Sequence, residues 1–339
     1  MSVSESPPVS ISIVVPVYSG EEYLRKLTER VDAVRQDWQA RGAPMAITEL
    51  IFVDDAAVDG SGEIIDALAR DYIWVTALHL SRNFGQHPAT VAGILFTAGS
   101  WVVTMDEDLQ HPPEKIVDLL ERAIRDKIDV VYAQPDEAVH KNFVRDIGSS
   151  TIKRTISWLT GSAHVRIMNS FRLMRGEIAR SAASVAIHDT YFDIELGFFT
   201  QRIAGLPMQL VDERFIRSGK SGYKLRSLVA HAWRMVFSAN LRVLRFAAIL
   251  GAFTSLLAIG LAALFIITNL FVPEAVMIRG WASQIVATMF FGGVNVALVG
   301  IALQYLSTLV LRAHGQPTFF VIDRASDRHL QPFFDGREG

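Results

Sequence analysis

Cysteine is absent from the 339-residue chain, which excludes disulfides, thiolate metal sites and a cysteine nucleophile together. A surplus of either charge is also missing, since 33 Lys and Arg stand against 35 Asp and Glu, a net charge of −2. Without a basic field, a nucleic-acid binder working through bulk electrostatics is disfavoured. Charged residues are scarce, 20% of the chain against 50% hydrophobic, which is too apolar for disorder. The length suits one large or two ordinary domains, and no internal repeat or low-complexity tract interrupts it.

Two stretches lack charge altogether, 246–272 and 281–311, and they account for a mean hydropathy of +0.26. Each exceeds the roughly 20 residues a helix needs to cross hydrocarbon. Helices of a soluble core rarely stay uncharged on every face for so long, so two membrane spans are expected. Polar Asn269, Gln284, Asn295 and Gln304 would face the partner helix or an interface. Arg242 and Arg245 precede the first run, and Arg312, His314, Arg324 and Arg328 follow the second, whereas the connection 273–280 holds one Glu and one Arg. Both chain ends are therefore expected in the cytoplasm. The first ten residues, MSVSESPPVS, have neither a positive nor an apolar signal-peptide region, so the first 240 residues are expected to stay there too.

That preceding part alternates strand-like and helix-like segments. Strands are expected at 11–17, 47–53, 74–80, 101–105 and 128–133, and helices at 21–41, 60–71, 86–97 and 112–126. Such βα alternation with apolar, doubly buried strands implies a mostly parallel α/β sheet covered on both faces. Ligands then bind beyond the carboxyl ends of the strands. Those ends are polar here: Pro16-Val17-Tyr18 with Glu21 and Glu22, Asp54-Asp55, Ser81-Arg82-Asn83-Phe84-Gly85-Gln86, and Asp106-Glu107-Asp108-Leu109-Gln110. Asp59-Gly60-Ser61 reads first as a helix cap. Asp106 and Asp108, two residues apart as the chain leaves a strand, can aim at one point, and like charges that close call for a cation between them. An oxygen-only site favours Mg²⁺ or Mn²⁺. His111 reads as a surface histidine before a further ligand.

Val15-Pro16-Val17-Tyr18, Val53-Asp54-Asp55-Ala56, Asp59-Gly60-Ser61, the 81–86 segment and Asp106 to Glu114 together resemble family 2 glycosyltransferases of the GT-A fold. More narrowly they are similar to the polyprenyl-phosphate glycosyltransferases, the group of dolichyl-phosphate mannose synthases, bactoprenyl glucosyltransferases and undecaprenyl-phosphate aminoarabinose transferases. The resemblance runs on through Gly219-Lys220-Ser221-Gly222-Tyr223, Phe291-Gly292-Gly293, Gln304-Tyr305 and Gln316-Pro317, covering roughly 10–322.

The resemblance implies a UDP- or GDP-linked sugar donor contacting Pro16, Tyr18, Glu21, Asp54, Asp55 and Arg82, with Glu22 the alternative to Glu21. It implies Mg²⁺ or Mn²⁺ on Asp106 and Asp108, bridging the donor diphosphate, and Gln110 near the sugar. The acceptor would be a polyprenyl phosphate met by Arg145, Ser149 and Arg172. A basic loop carrying Arg214, Arg217, Lys220 and Ser221 would lie over the phosphates, with one of the two arginines functional; membrane-surface attraction is the plainer reading of those cations. Two departures stand out: Ser19 replaces a usual Asn, and the Asp that commonly precedes Phe171-Arg172-Leu173 is absent from 165–172. A phosphate monoester with a second pKa of about 6 is mostly dianionic at neutral pH, so no catalytic base is assigned.

The expected organisation is a tail at 1–10, a GT-A domain at 11–223, an amphipathic interfacial helix at 224–242, a two-helix membrane hairpin at 243–313 and a cytoplasmic tail at 314–339. An ordinary helix packed on the sheet is the alternative for 225–236. The expected activity is inverting transfer of a single sugar to an undecaprenyl-type phosphate, for a cell-envelope glycan or lipid, at the cytoplasmic leaflet of a bacterial inner membrane. Partners are then the nucleotide sugar, the polyprenyl phosphate and the lipid bilayer, with no nucleic acid; a homo-oligomer is left open. A processive polysaccharide synthase fits less well, because no Gln-x-x-Arg-Trp segment occurs and two spans are few for a channel. A degenerate sugar-nucleotide-binding scaffold is countered by the intact acidic turn.

Overall fold

A computed structural model describes residues 7–135, 167–186, 191–208, 280–313 and 317–323, with scattered positions between 251 and 271. The β-branched runs form the expected strands: β1 (Val9–Val17), β2 (Met45–Asp54), β3 (Val75–His79), β4 (Trp101–Thr104) and β5 (Val130–Pro135). Between them lie α1 (Leu24–Ala40), α2 (Ser61–Asp71), α3 (Gln86–Leu95) and α4 (Ile116–Arg125), the last entered through a 3₁₀ turn at Pro113–Lys115. Four later elements were not expected: β6 (Arg172–Arg175), α5 (Gly176–Val185), α6 (Phe192–Phe199) and β7 (Ile203–Met208).

The strands form one seven-stranded sheet in the order β3-β2-β1-β4-β6-β5-β7. All neighbours are parallel except that β6 runs antiparallel to both β4 and β5. Side chains alternate between two apolar layers, as the pleat requires. Ile13, Val15 and Phe52 face α1, α2 and α4, while Val14, Val53 and Val102 face α3, α5 and α6.

The helix-forming residues set how closely α3 approaches. Its buried face is Ala89, Ala92 and Gly93, and a Cβ at Gly93 would lie 2.4 Å from Val14 Cγ1 and 2.9 Å from Val53 Cγ2. That contact fixes the height of α3 on the sheet and so brings its first residue, Gln86, to the carboxyl edge of the strands.

Among the described residues the next continuous element after β7 is α7 (Trp281–Ala313), a 33-residue helix coinciding with the second expected span. Counted over the described residues, no helix is long and apolar enough to cross a membrane. The first expected span is described only at scattered positions, and the expected interfacial helix lies outside the described residues. Beyond α7, residues 317–323 return to the sheet, where Val321 forms an antiparallel bridge with Leu80.

Candidate active site

Beyond the carboxyl ends of the strands lies a cleft of about 440 Å³, lined by Pro16, Tyr18, Asp55, Gln86, Asp106 and Asp108 among others. Each wall is a strand-to-helix turn, and carboxylates hold the turns to one another. Glu107 accepts hydrogen bonds from the amides of Tyr18 (3.0 Å) and Ser19 (3.1 Å), clamping the turn after β1 to the turn after β4. Glu21 accepts from the Gly60 amide (3.1 Å), and Asp59 accepts from the Glu21 amide (3.3 Å), joining the first turn to the second. Gly60 itself is the N-cap of α2 and no side chain caps it, so Asp59 serves as a stitch between turns as well as accepting from the Ser61 amide (3.1 Å).

Asp54 and Asp55 face different tasks. One Asp54 oxygen accepts from the Ala57 amide (2.7 Å), and the other meets His79 Nδ1 (2.9 Å), whose Nε2 meets Asp66 (3.0 Å). Bonding to Asp54, then to Asp66, raises the His79 pKa above its ordinary value despite partial burial. Asp55 accepts from the amides of Phe84 (2.7 Å) and Gly85 (2.8 Å), and burial raises its pKa. Gly85 has φ +99°, a conformation that suits only glycine, which lets two successive amides turn inward on that carboxylate.

The acidic turn is built around the second strained position. Leu109 is buried with φ +63°, and Ala56, just past Asp55, has φ +51°. Such non-glycine outliers cost of order 1–3 kcal/mol and cluster where geometry serves function. The reversal at Leu109 brings Gln110 back onto Asp108, whose oxygens accept from the Gln110 amide (3.3 Å) and side chain (3.0 Å). Asp106 is fixed from both sides, by Gln86 Nε2 (2.6 Å) and by the Ser170 hydroxyl (2.7 Å).

His111 is a correction: it is buried, not at the surface. Its Nδ1 accepts from the Asp106 amide (2.9 Å), and its ring stacks on Phe171 at 4.9 Å. Burial lowers its pKa, so the ring is neutral and carries its proton on Nε2, 3.9 Å from an Asp106 oxygen. It supports the turn from beneath.

Of the sequence-derived candidates, Pro16, Tyr18, Asp55, Asp106 and Asp108 line one cleft, and Gln110 adjoins it through Asp108. Asp54 and Glu21 bind turns behind it. Arg82 is exposed, its guanidinium 4.1 Å above the Phe84 ring, while Asn83, Gly85 and Gln86 supply that wall. Arg172 is placed in the interior: it is 2% exposed, pairs with Asp193, and lies 4.9 Å over the Phe192 ring. There the guanidinium lies against Asp193 and Phe192 of α6, with Tyr132 of β5 bonded to the same carboxylate. Arg145, Ser149, Arg214, Arg217, Lys220 and Ser221 lie outside the described residues. Gln86 stands in the sequence reading only as the end of the polar 81–86 segment and the start of the 86–97 helix, with no role of its own, and Ser170 has none there.

For a metal, the donors are carboxylate oxygens, the chemistry that suits a hard divalent cation. Among the described residues no three His, Asp or Glu side chains converge on one point. Asp106 and Asp108 could thus hold an ion only with further oxygens from substrate or water, and the shared cleft leaves room for both.

A mostly parallel sheet with acids at its strand ends and one reversed strand is the Rossmann-like GT-A architecture. Residues 12–179 match the family Glycosyl transferase family 2. The chain carries a family 2 glycosyltransferase domain over those residues, and is a glycosyltransferase. Among its curated relatives, the undecaprenyl-phosphate 4-deoxy-4-formamido-L-arabinose transferase of Pectobacterium carotovorum is 29% identical over 321 residues, 92% of each chain. The protein of the same name from Yersinia pestis is 28% identical over 332 residues, 95% of each. Solved structures that resemble it include mannosyl-3-phosphoglycerate synthase from Rubrobacter xylanophilus, at 13% identity and TM-score 0.47, covering 68% of this chain and 72% of that one. Glucosyl-3-phosphoglycerate synthase from Mycobacterium tuberculosis, solved with Mn²⁺, UDP-glucose and phosphoglyceric acid, gives 15%, 0.48, 69% and 79%.

Proposed function

We propose that the protein transfers one sugar, with inversion, from a UDP- or GDP-linked donor to a polyprenyl phosphate of the undecaprenyl type at the cytoplasmic leaflet. The observation that carries this is the acidic turn after β4, with Asp106 and Asp108 in one cleft beside the β1 and β3 turns. The full-length similarity to transferases named for undecaprenyl phosphate supports the acceptor.

Membrane attachment is supported by α7, which has a single formal charge, Arg312, in 33 residues. Phe290, Val296, Val299, Leu303, Leu306 and Leu309 are each more than half exposed along it. So are Phe253, Leu256, Ile267 and Phe271 of the first apolar run. An aqueous surface of that kind would be costly, whereas a bilayer accepts it.

In this reading Asp55, through the 84–85 amides, and Glu107, through the 18–19 amides, hold the turns around the nucleotide end of the cleft. Gln86 and Ser170 aim Asp106; Gln110 steadies Asp108. Asp106 and Asp108 would hold Mg²⁺ or Mn²⁺, and that ion, when bound, supplies charge neutralisation on the leaving nucleoside diphosphate. The acceptor phosphate oxygen forms its bond to the anomeric carbon as the bond to the diphosphate oxygen breaks on the opposite face, which inverts the centre. The dianionic acceptor needs no base. Arg145, Ser149, Lys220, Ser221 and one of Arg214 and Arg217 would hold its phosphate and the loop over it.

The test is to incubate purified protein with undecaprenyl phosphate and a panel of radiolabelled nucleotide sugars. One labelled glycolipid carrying a single sugar is the expected product. A polymer, or no transfer from any donor, refutes the proposal.

A further inference from the structure

The strand β3 is the outer strand of the sheet, and its final residues lead directly into the cleft wall 81–86. The segment that follows α7 pairs with that end. The Ser81 amide donates to Phe320 O (3.0 Å), the Ile322 amide donates to His79 O (2.9 Å), and Leu80 stands opposite Val321. Phe319 and Val321 pack against the apolar layer beneath α3.

The wall is thereby held at both ends. At its far end Asp55 takes the amides of Phe84 and Gly85, and Gln86 binds Asp106. At its near end the anchor is the returning segment. We infer that residues 320–322 are positioning residues for the donor side of the cleft: they register the 81–86 wall, and through Gln86 the carboxylate of Asp106, to the chain leaving α7. Merely covering an exposed sheet edge would be a different role. An edge cover protects the amides it touches, whereas an anchor also fixes amides several residues away.

Three measurements on the full chain in detergent separate these. Ile322→Pro removes the amide donated to His79, and Ile322→Ala keeps it. Hydrogen exchange at Phe84, Gly85 and Gln86 should quicken about three- to tenfold in the Pro variant, as loss of a hydrogen bond worth about 0.5–1.5 kcal/mol implies, and stay at the wild-type rate in the Ala variant. Acceleration confined to Ser81, or none, overturns the inference. Because the chain has no cysteine, Leu80→Cys with Val321→Cys should cross-link on mild oxidation, since opposite residues of such a pair lie about 4.5 Å apart at Cα; failure to cross-link also overturns it.

The third measurement rests on the proposed function. Donor KM should rise about three- to tenfold in Ile322→Pro with acceptor KM unchanged, and the oxidised cysteine pair should restore donor KM in that background. A fall in kcat with both KM values intact marks a purely structural role and overturns the inference. If the protein transfers no sugar at all, the functional reading fails, and exchange and cross-linking still decide the anchor.

Discussion

Replacing Arg172 separates two roles that the sequence alone would merge. The guanidinium is 2% exposed and its partner Asp193 is 1% exposed; the Tyr132 hydroxyl also donates to Asp193, at 2.6 Å. Burial beside this carboxylate keeps the phenol protonated far above its ordinary range. Arg172→Met fills similar volume but strands the Asp193 charge among apolar side chains. Breaking one half of a buried pair costs about 3–5 kcal/mol. Removing both charges with Arg172→Met and Asp193→Leu should recover most of that, leaving about 1–3 kcal/mol for the unsatisfied Tyr132 hydroxyl. Adding Tyr132→Phe should erase the remainder, a non-additivity expected only of groups in one network.

The assay is urea unfolding in detergent followed by tryptophan fluorescence, with donor and acceptor titrations on the folded fraction. If Arg172 serves the interior, stability follows the sequence just given and acceptor KM stays at the wild-type value in every variant that folds. If Arg172→Met unfolds within about 1 kcal/mol of wild type while acceptor KM rises tenfold or more, the interior role is refuted and Arg172 belongs to the acceptor.

Asp108→Ala should lower turnover by roughly 10²-fold or more, because charge on the leaving diphosphate is no longer neutralised; near-normal turnover, or full turnover in excess EDTA, would remove the metal role. His79, bonded to Asp54 and Asp66, has a folded pKa above its ordinary 6.5. Its stabilisation is therefore complete below about pH 6.5 and is lost as pH rises through the folded value. The stability gap between wild type and His79→Gln should accordingly narrow from pH 6 toward alkaline pH, on the order of the titration range around that value, and a flat gap would refute the bridge. For topology, a reporter after Gly339 should read cytoplasm and one near Ala275 the outside; both on one side would leave at most one span.

The five expected strands and four helices were legible because each is a short apolar run or a periodic one, bounded by polar turn residues. Boundaries moved where local bonding won: α1 starts at Leu24, not at 21, because the amides of Tyr23 and Leu24 both return to Gly20 O. The region after β5 was opaque for a different reason. Its strand β6 is only four residues long and gains its identity from antiparallel pairing with β4 and β5, a long-range fact that no local pattern encodes. In the site, acid spacing revealed Asp106 and Asp108. It did not show that Arg172 faces inward, since alternation along a four-residue strand cannot say which layer contains a countercharge 21 residues away. His111 was misread for the same reason, its aromatic partner Phe171 lying on the incoming side of β6.

The distribution of carboxylates in the cleft has a physical logic of its own. Where parallel strands end, backbone amides of the outgoing turns lose their ladder partners and must be satisfied some other way. Here Asp54, Asp55, Asp59 and Glu107 accept those amides, so much of the negative charge at the strand ends is structural. Asp106 differs, because its carboxylate is met by the side chains of Gln86 and Ser170, both neutral donors that orient without cancelling charge. A frame of that kind aims a full negative charge at the cleft while fixing its direction. Water alone would satisfy such a carboxylate without two dedicated donors on separate elements, α3 and the approach to β6. In the proposed function that fixed direction would serve a divalent cation and the donor diphosphate, whose coordination calls for a carboxylate at a set angle.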